Sequence, residues 1–405
     1  MSDHIVKRPL DGIRVLDLSR VLAGPYAGLM LADLGAEVIK VENPAHGDDS
    51  RTFTVPSHND HAVYFLTVNR NKKSVALDLK APQGKAAFLK LVANSDVVLE
   101  NFRTGVMERL GLGYDTLKSV RPDIIVCAIS GYGRDGPNVD VPGYDPVAQA
   151  ESGLMAMTGD PQGPPTRAGI SLVDMITGLY ASNAISAALR QKQITGEGRF
   201  IELSLFETGI NMLVNFGHQY LMTGNEPTRA GNGNQVAQPA GVFEASDGPF
   251  MVTIGNDVQY ARLCNDVVGR PDLVDDPRFV DNKSRVANTV AIREVFGEIF
   301  LHKTRAEWVT VLRAGGVPCG VVATVAEALD SELVTARGSV QPVTHSEMGS
   351  YPAIMTPARL HDTEAVSLAG APLLGEHTRD VLRDVAGLDE AEVEALVAAR
   401  VARVG

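Results

Sequence analysis

The sequence predicts an α/β fold with a large domain built on a parallel sheet and a smaller α+β domain after it. Three observations predict it. Short β-branched runs alternate with helical patterns through the first 200 residues, which is the signature of parallel βαβ units covered on both faces. The texture changes after residue 221, where a stretch rich in Gly, Asn and Gln precedes a hairpin pattern. The composition is that of an ordinary globular chain: 405 residues, 44% hydrophobic and 21% charged, enough for more than one domain.

The elements follow in order. Residues 14–18 form a short β-rich run, and 25–34 a helix with Pro25 in its first turn. Residues 37–42 form a second strand. A helix over 84–93 leads to a strand at 96–99. The Arg121-Pro122 break introduces a strand at 123–129. A long loop at 158–169 precedes a helix over 174–189. Another strand follows at 200–204 and a helix near 206–221. Beyond the Gly-rich stretch, VFEASDGPFMVTI reads as a hairpin turning at Asp247-Gly248. A helix around 305–313, a strand in GVPCGVV and a last helix over 389–401 complete the pattern. The domain reading is 1–200 for the large domain, 201–224 a linker, 225–325 the small domain, 326–350 a linker and 351–405 a C-terminal segment.

Composition excludes several function classes. The net charge of −12 gives no basic field to gather nucleic acid. Cys127, Cys264 and Cys319 are too far apart for metal-ligand spacing and read as thiols of a reducing cytosol. The N-terminus has no signal pattern, and no run reaches the roughly 20 apolar residues of a membrane span. The expectation is a cytoplasmic protein with no membrane partner.

The block LDLSRVLAGPYAGLMLADLGAEVIKVE, residues 16–42, has the strand–turn–helix–strand order of a Rossmann-like unit with an acid closing the second strand. Its turn lacks G-x-G-x-x-G, which argues against a dinucleotide. The crevice at the strand ends is still the default ligand site, and Arg20, Leu22 and Ala23 would line it. Cations cluster twice: Arg70, Lys72, Lys73 and Lys80 in one segment, Arg103 and Arg109 in another. In an acidic chain such clusters suit a ligand bearing several phosphates. In RAGISLVDMITGLYA, residues 167–181, Asp174 stands where a Gly- and Pro-rich loop gives way to an apolar helix. Read locally, it is a helix cap, with Ser171 as a rival.

These segments together resemble the class III CoA-transferases, the formyl-CoA transferase and carnitine/bile-acid type. The resemblance rests on the opening block, on NRNKKSVALDLK, ENFRTGVMERLGLGY and ISGYGRDGP, on GYDPVAQAESGLM, and on the Asp174 segment. It implies a Rossmann-like large domain, a small domain, an interlocked homodimer and a C-terminal segment returning to the large domain. It implies Asp174 as the catalytic residue, with CoA contacts at Arg20, Leu22, Ala23, Asn43, Leu77, Lys80, Asn101, Phe102, Arg103 and Arg109, and with Tyr144 and Asp145 near the nucleophile. The GNGN stretch from Gly231 to Asn234 corresponds to the family's glycine-rich lid. CoA enters as a substrate moiety, with no permanently bound cofactor and no metal.

A carboxylate nucleophile suits the transfer of CoA between acids, because the thioester bond is never surrendered to water. A helix N-terminus would favour its ionised form by about 0.3–1 kcal/mol. Gly169 and Gly178 would leave room for a thioester. The family's racemases need a histidine partner, and none of the nine histidines lies between His61 and His218. Formyl-CoA:oxalate transferases carry Gln and Trp where this chain has Leu22 and Phe53. RVLAGPYA, YFLTVNRNKKS, SGYGRDGP and GYDPVAQAESGLM are closer to transferases using succinyl-CoA and a dicarboxylate such as glutarate, itaconate or mesaconate. Arg51, Arg70, Arg167 and His46 are candidates to hold the acid.

Overall fold

The computed structural model describes residues 5–53 and 55–405, and the chain divides into two units. The larger takes in the chain up to Leu154, then Ala168–His218 and Leu333–Gly405. The smaller comprises Met155–Arg167 and Gln219–Glu332.

The larger unit is built on β1 (Arg14–Asp17), β2 (Glu37–Glu42), β3 (Lys72–Leu77), β4 (Val97–Glu100), β5 (Ile125–Ser130) and β6 (Phe200–Ser204). All six run parallel, in the order β3-β2-β1-β4-β5-β6. Successive side chains of β1 enter different cores, Val15 one and Leu16 the other, so both faces are covered. On Val15's face lie α1 (Ala23–Asp33) and, further along the chain, α5 (Leu172–Thr195). Between them in sequence come α2 (Val63–Asn69), α3 (Pro82–Ala93) and α4 (Asp145–Glu151). α3 covers the opposite face through Phe88 and Leu91. The helix pattern expected at 206–221 is two helices, α6 (Leu205–Asn211) and α7 (Val214–Thr223).

β3 has no counterpart among the strands expected from the sequence. Its Lys-rich start looks like solvated charge, yet Lys72 is buried and only Lys73 of the pair is exposed. Strand alternation divides them between the two faces. The interval read as a 326–350 linker also carries structure. β10 (Val340–His345) and β11 (Gly349–Ile354) form a hairpin whose Val343 and Tyr351 pack on Phe65 and Leu66 of α2. The C-terminal segment adds α10 (Thr378–Asp384) and α11 (Glu390–Ala398) to the Leu16 core, and β12 (Ala402–Arg403) pairs antiparallel with β3.

The smaller unit holds the antiparallel sheet β9-β8-β7, from β7 (Ala240–Ala245), β8 (Gly248–Thr253) and β9 (Cys319–Val321). The hairpin turns one residue earlier than expected, at Ser246-Asp247, because Gly248 already pairs with Ala245. Helices α8 (Thr289–Phe300) and α9 (Arg305–Ala314) cover it, with Phe300 edge-on to Phe243, Phe250 and Trp308 at 5.1 Å each. The GNGN stretch belongs to this unit. Its backbone is tied to β7 by a bond from Val242 N–H to the Asn232 carbonyl, 3.2 Å, and by a bridge between Gly233 and Gly241. Just before it, the Arg229 guanidinium donates to the carbonyls of Ala156, Asp160 and Gly163.

Candidate active site

The C-terminal ends of the parallel strands carry buried charge: Asp17 on β1, Lys40 and Glu42 on β2, and Glu100 on β4. That is the end of an α/β sheet where ligands sit. Lys40 pairs with Asp48 at 2.8 Å, and Lys72 reaches across to Asp17 at 2.9 Å. Burial lowers Lys72 to about 8 despite that carboxylate, while Lys40 holds Asp48 well below the usual range against its own burial.

Asp174 stands in the first turn of α5 and is not a cap. Ser171 occupies the N-cap position without a side-chain capping bond. The acceptor comes from another helix: Asp145 Oδ1 receives the N–H of Val173 at 2.7 Å and of Asp174 at 3.1 Å. Asp145 is buried, and its Oδ2 accepts from Gln149 Nε2 at 2.6 Å. Gln149 in turn accepts the N–H of Ala168 at 2.8 Å, so the strand of chain leading into α5 is pinned too. The Asp174 carboxylate is left without a hydrogen bond among the described residues. Burial pushes it up to about 7, with the charge of Asp145 adding to the effect. Burial and a like charge therefore outweigh the helix-dipole stabilisation that the sequence suggested.

α1 and α5 touch through Gly178. A Cβ there would stand 2.7 Å from the Ala23 carbonyl and 3.1 Å from the Tyr26 ring, so this glycine makes room for α1 and not for a thioester. Gly169 has nothing within 4 Å of the corresponding position. The close approach brings the β1–α1 turn beside Asp174. Together they line a hollow with Arg20, Leu22, Ala23, Asn101, Phe102, Arg103 and Tyr144. A second hollow shares Arg20, Phe102 and Arg103 and continues to Asn43, Leu77 and Lys80, with His46 at its wall.

Thus nine of the ten residues that the resemblance assigned to CoA line one or both hollows, and Tyr144 joins them. Arg109 does not. It is exposed, with its guanidinium against Gly105. Asn101 lies in the hollow wall, but both ends of its amide are engaged with the Arg20 backbone at 2.8 Å. Of the Lys-rich segment, Lys80 alone lines a hollow. Arg70 is buried and bonds Asp33 with both Nη atoms, Lys72 is spent on Asp17, and Lys73 pairs with Glu37. Those pairings remove Arg70 as a holder of the acid. Arg51 is likewise taken, by both oxygens of Glu42 and by the Phe65 ring at 3.7 Å. Arg167 is exposed in the smaller unit.

The sequence does not single out Tyr64, which feels the charge of Asp174. Burial, followed by the charge of Asp174, pushes the Tyr64 hydroxyl up to about 12. Its ring meets Phe53 edge-on at 5.6 Å. A single aromatic at the head of a seven-residue helix carries no local signal of this role.

The CoA-transferase family III model matches residues 10–378. The chain belongs to CoA-transferase family III. It is 39% identical over 385 residues to the succinate–glutarate CoA-transferase of Agrobacterium fabrum, covering 94% of this chain and 96% of that one. It is 37% identical over 396 residues to the succinyl-CoA:glutarate CoA-transferase of Mus musculus, covering 98% and 91%. It is 42% identical over 332 residues to the acetyl-CoA:oxalate CoA-transferase of Acetobacter aceti, covering 82% and 85%. A crystal structure of a CAIB/BAIF family protein from Brucella suis superposes with a TM-score of 0.83 at 36% identity, covering 94% of this chain and 100% of that one. The family III chain thus shares its mixed α/β fold, with a largely parallel sheet, with a solved relative.

Proposed function

We propose that this family III enzyme moves CoA from succinyl-CoA to a dicarboxylic acid, with glutarate, itaconate and mesaconate as acceptor candidates, through covalent intermediates on Asp174. The observation that carries the reading is the Asp174 carboxylate, without a hydrogen bond among the described residues, in a hollow that adjoins the one holding Lys80. The names of the Agrobacterium and mouse relatives support succinate and glutarate as the acids.

Asp174 attacks the thioester carbonyl; a C–O bond forms, the C–S bond breaks, and an aspartyl-succinyl anhydride and CoA thiolate result. The thiolate attacks the Asp174 carbonyl carbon, succinate leaves, and an aspartyl-CoA thioester remains. The acceptor carboxylate displaces the thiolate to give a second anhydride. The thiolate then attacks the acceptor-derived carbonyl and frees Asp174. No proton changes hands and no redox step or metal is needed. The ends of the CoA chain fall to Lys80 and Arg103, which are exposed and form no ion pair among the described residues.

Racemisation at an α-carbon is the second reading. Against it, no histidine lines the Asp174 hollow among the described residues. Exchange of labelled succinate into succinyl-CoA, lost in Asp174→Ala, tests the transfer. Solvent deuterium entering the α-position of a 2-methylacyl-CoA without any acceptor acid would instead establish the racemase.

The working form is proposed to be an interlocked, cytoplasmic homodimer. Exposed apolar side chains at Leu221 (78%) and Met222 (81%) support a partner surface. Size-exclusion chromatography with light scattering checks it. α5 is long and apolar enough to cross a membrane by composition, but its Val173, Ala181, Ile185 and Leu189 belong to the sheet's core, which fits a core helix.

A further inference from the structure

The turn between β1 and α1 contains a backbone conformation that its residue does not favour. Val21 has φ +67°, and a β-branched side chain in the left-handed region persists only where its surroundings over-determine it. Two clamps from separate elements do so. Asn101, directly after β4, accepts the Arg20 N–H on Oδ1 and donates from Nδ2 to the Arg20 carbonyl, both at 2.8 Å. Asp48, after β2, accepts the Val21 N–H at 3.1 Å. Asp48 is fixed by its buried pair with Lys40, whose Nζ also donates to the Ser19 carbonyl at 2.7 Å. The three residues Ser19, Arg20 and Val21 are therefore all held by their main-chain atoms.

The chain leaving this turn is the wall of the Asp174 hollow. Leu22 and Ala23 follow directly, and α1 packs from there onto α5. If Val21 relaxed to negative φ, Leu22 and Ala23 would swing away from Asp174.

We infer that Asn101 is a positioning residue: with Asp48 it holds Val21 in the left-handed conformation that sets the acyl-CoA-binding wall at Leu22 and Ala23. This rests on the acyl-CoA reading of the hollow. It differs from a direct contact with CoA, for which both ends of the Asn101 amide would have to leave Arg20.

A double-mutant cycle separates the two roles. Asn101→Ala raises KM for succinyl-CoA about tenfold in the parent, with kcat less affected. On the V21G background the same substitution raises KM less than about threefold, because glycine keeps a positive φ without a clamp. Equal losses on the two backgrounds would mark Asn101 as a direct ligand and overturn the inference. Should N101A fail to fold, Asn101→Asp runs the same cycle, since it keeps an acceptor for Arg20 N–H and loses the donor. Melting without substrate gives a readout independent of the acyl-CoA reading. V21G melts about 2 °C above V21A, the reverse of the order at ordinary positions. V21A melting higher would refute the strained turn, whereas a protein that shows the predicted melting order and turns over no CoA thioester would refute the proposed function instead.

Discussion

Asp145 accepts the backbone N–H of Asp174 at 3.1 Å, so one carboxylate caps the helix on which the other stands. The arrangement fixes the main chain of Asp174 and leaves its side chain without a hydrogen bond among the described residues. It also sets a negative charge beside it. Burial and that charge together lift the Asp174 carboxyl to about 7. A carboxylate with a raised pKa is a stronger nucleophile once ionised, at the cost of being ionised only in part near neutrality.

The first consequence is a pH dependence. Attack requires ionised Asp174, so kcat/KM for succinyl-CoA rises with pH and levels off above about 7. Asp145→Asn retains an oxygen for the two N–H groups and removes the charge. Its limb moves to lower pH. Asp145→Ala removes the cap as well and costs about 1 kcal/mol of stability. Profiles that coincide for D145N and the parent would exclude a charge effect of Asp145 on the nucleophile.

A second consequence concerns stability. In the unfolded chain Asp174 loses its proton near 4, in the folded chain near 7. Between those values the folded state holds the extra proton, so this group's contribution falls as pH rises from about 4 to about 7. Asp174→Asn has nothing to ionise. It should match the parent at pH 4 and exceed it by about 4 kcal/mol at pH 8, while losing exchange activity. Urea unfolding at several pH values measures the difference, and a gap that stays constant with pH would contradict it.

Much of this architecture is legible locally and some of it is not. The strands Glu37–Glu42 and Phe200–Ser204 stand at the bounds their β-branched and apolar residues predict. Asp174, Leu22, Ala23 and Lys80 reach one end of the sheet as the motif order implies. What failed was the reading of charge. Arg70 and Lys72 sit among exposed-looking neighbours, but their partners Asp33 and Asp17 lie 37 and 55 residues away in sequence. No window of sequence contains such a pair. The cap of α5 was hidden for the same reason, since Asp145 is 28 residues before Val173. Tyr64 comes under the charge of Asp174 only through the tertiary fold.

The two kinds of cation make opposite predictions. Lys80 is exposed and forms no ion pair among the described residues, so Lys80→Ala raises KM for succinyl-CoA several-fold, an effect that shrinks with added salt, and leaves the melting temperature alone. Lys72→Met strands the fully buried Asp17 and lowers stability by about 3–5 kcal/mol. Chemical denaturation of the two variants side by side decides it. A K80A protein destabilised as much as K72M would mean that Lys80 is structural.

Glycine substitutions on either side of Asp174 test how closely α1 must approach α5. Gly169→Ala adds a methyl where nothing lies within 4 Å, and its melting temperature should be close to that of the parent. Gly178→Ala puts the same methyl 2.7 Å from the Ala23 carbonyl and 3.3 Å from the Ala27 nitrogen. Both are main-chain atoms that cannot rotate aside, so the helices must part. Overpacking of this kind costs about 1–3 kcal/mol. Because Leu22 and Ala23 ride on α1, the shift also draws the hollow's wall away from Asp174, and kcat should fall along with stability. A G178A enzyme that melts lower yet keeps the parent's kcat would show that the α1–α5 contact supports the fold without setting the geometry of the nucleophile.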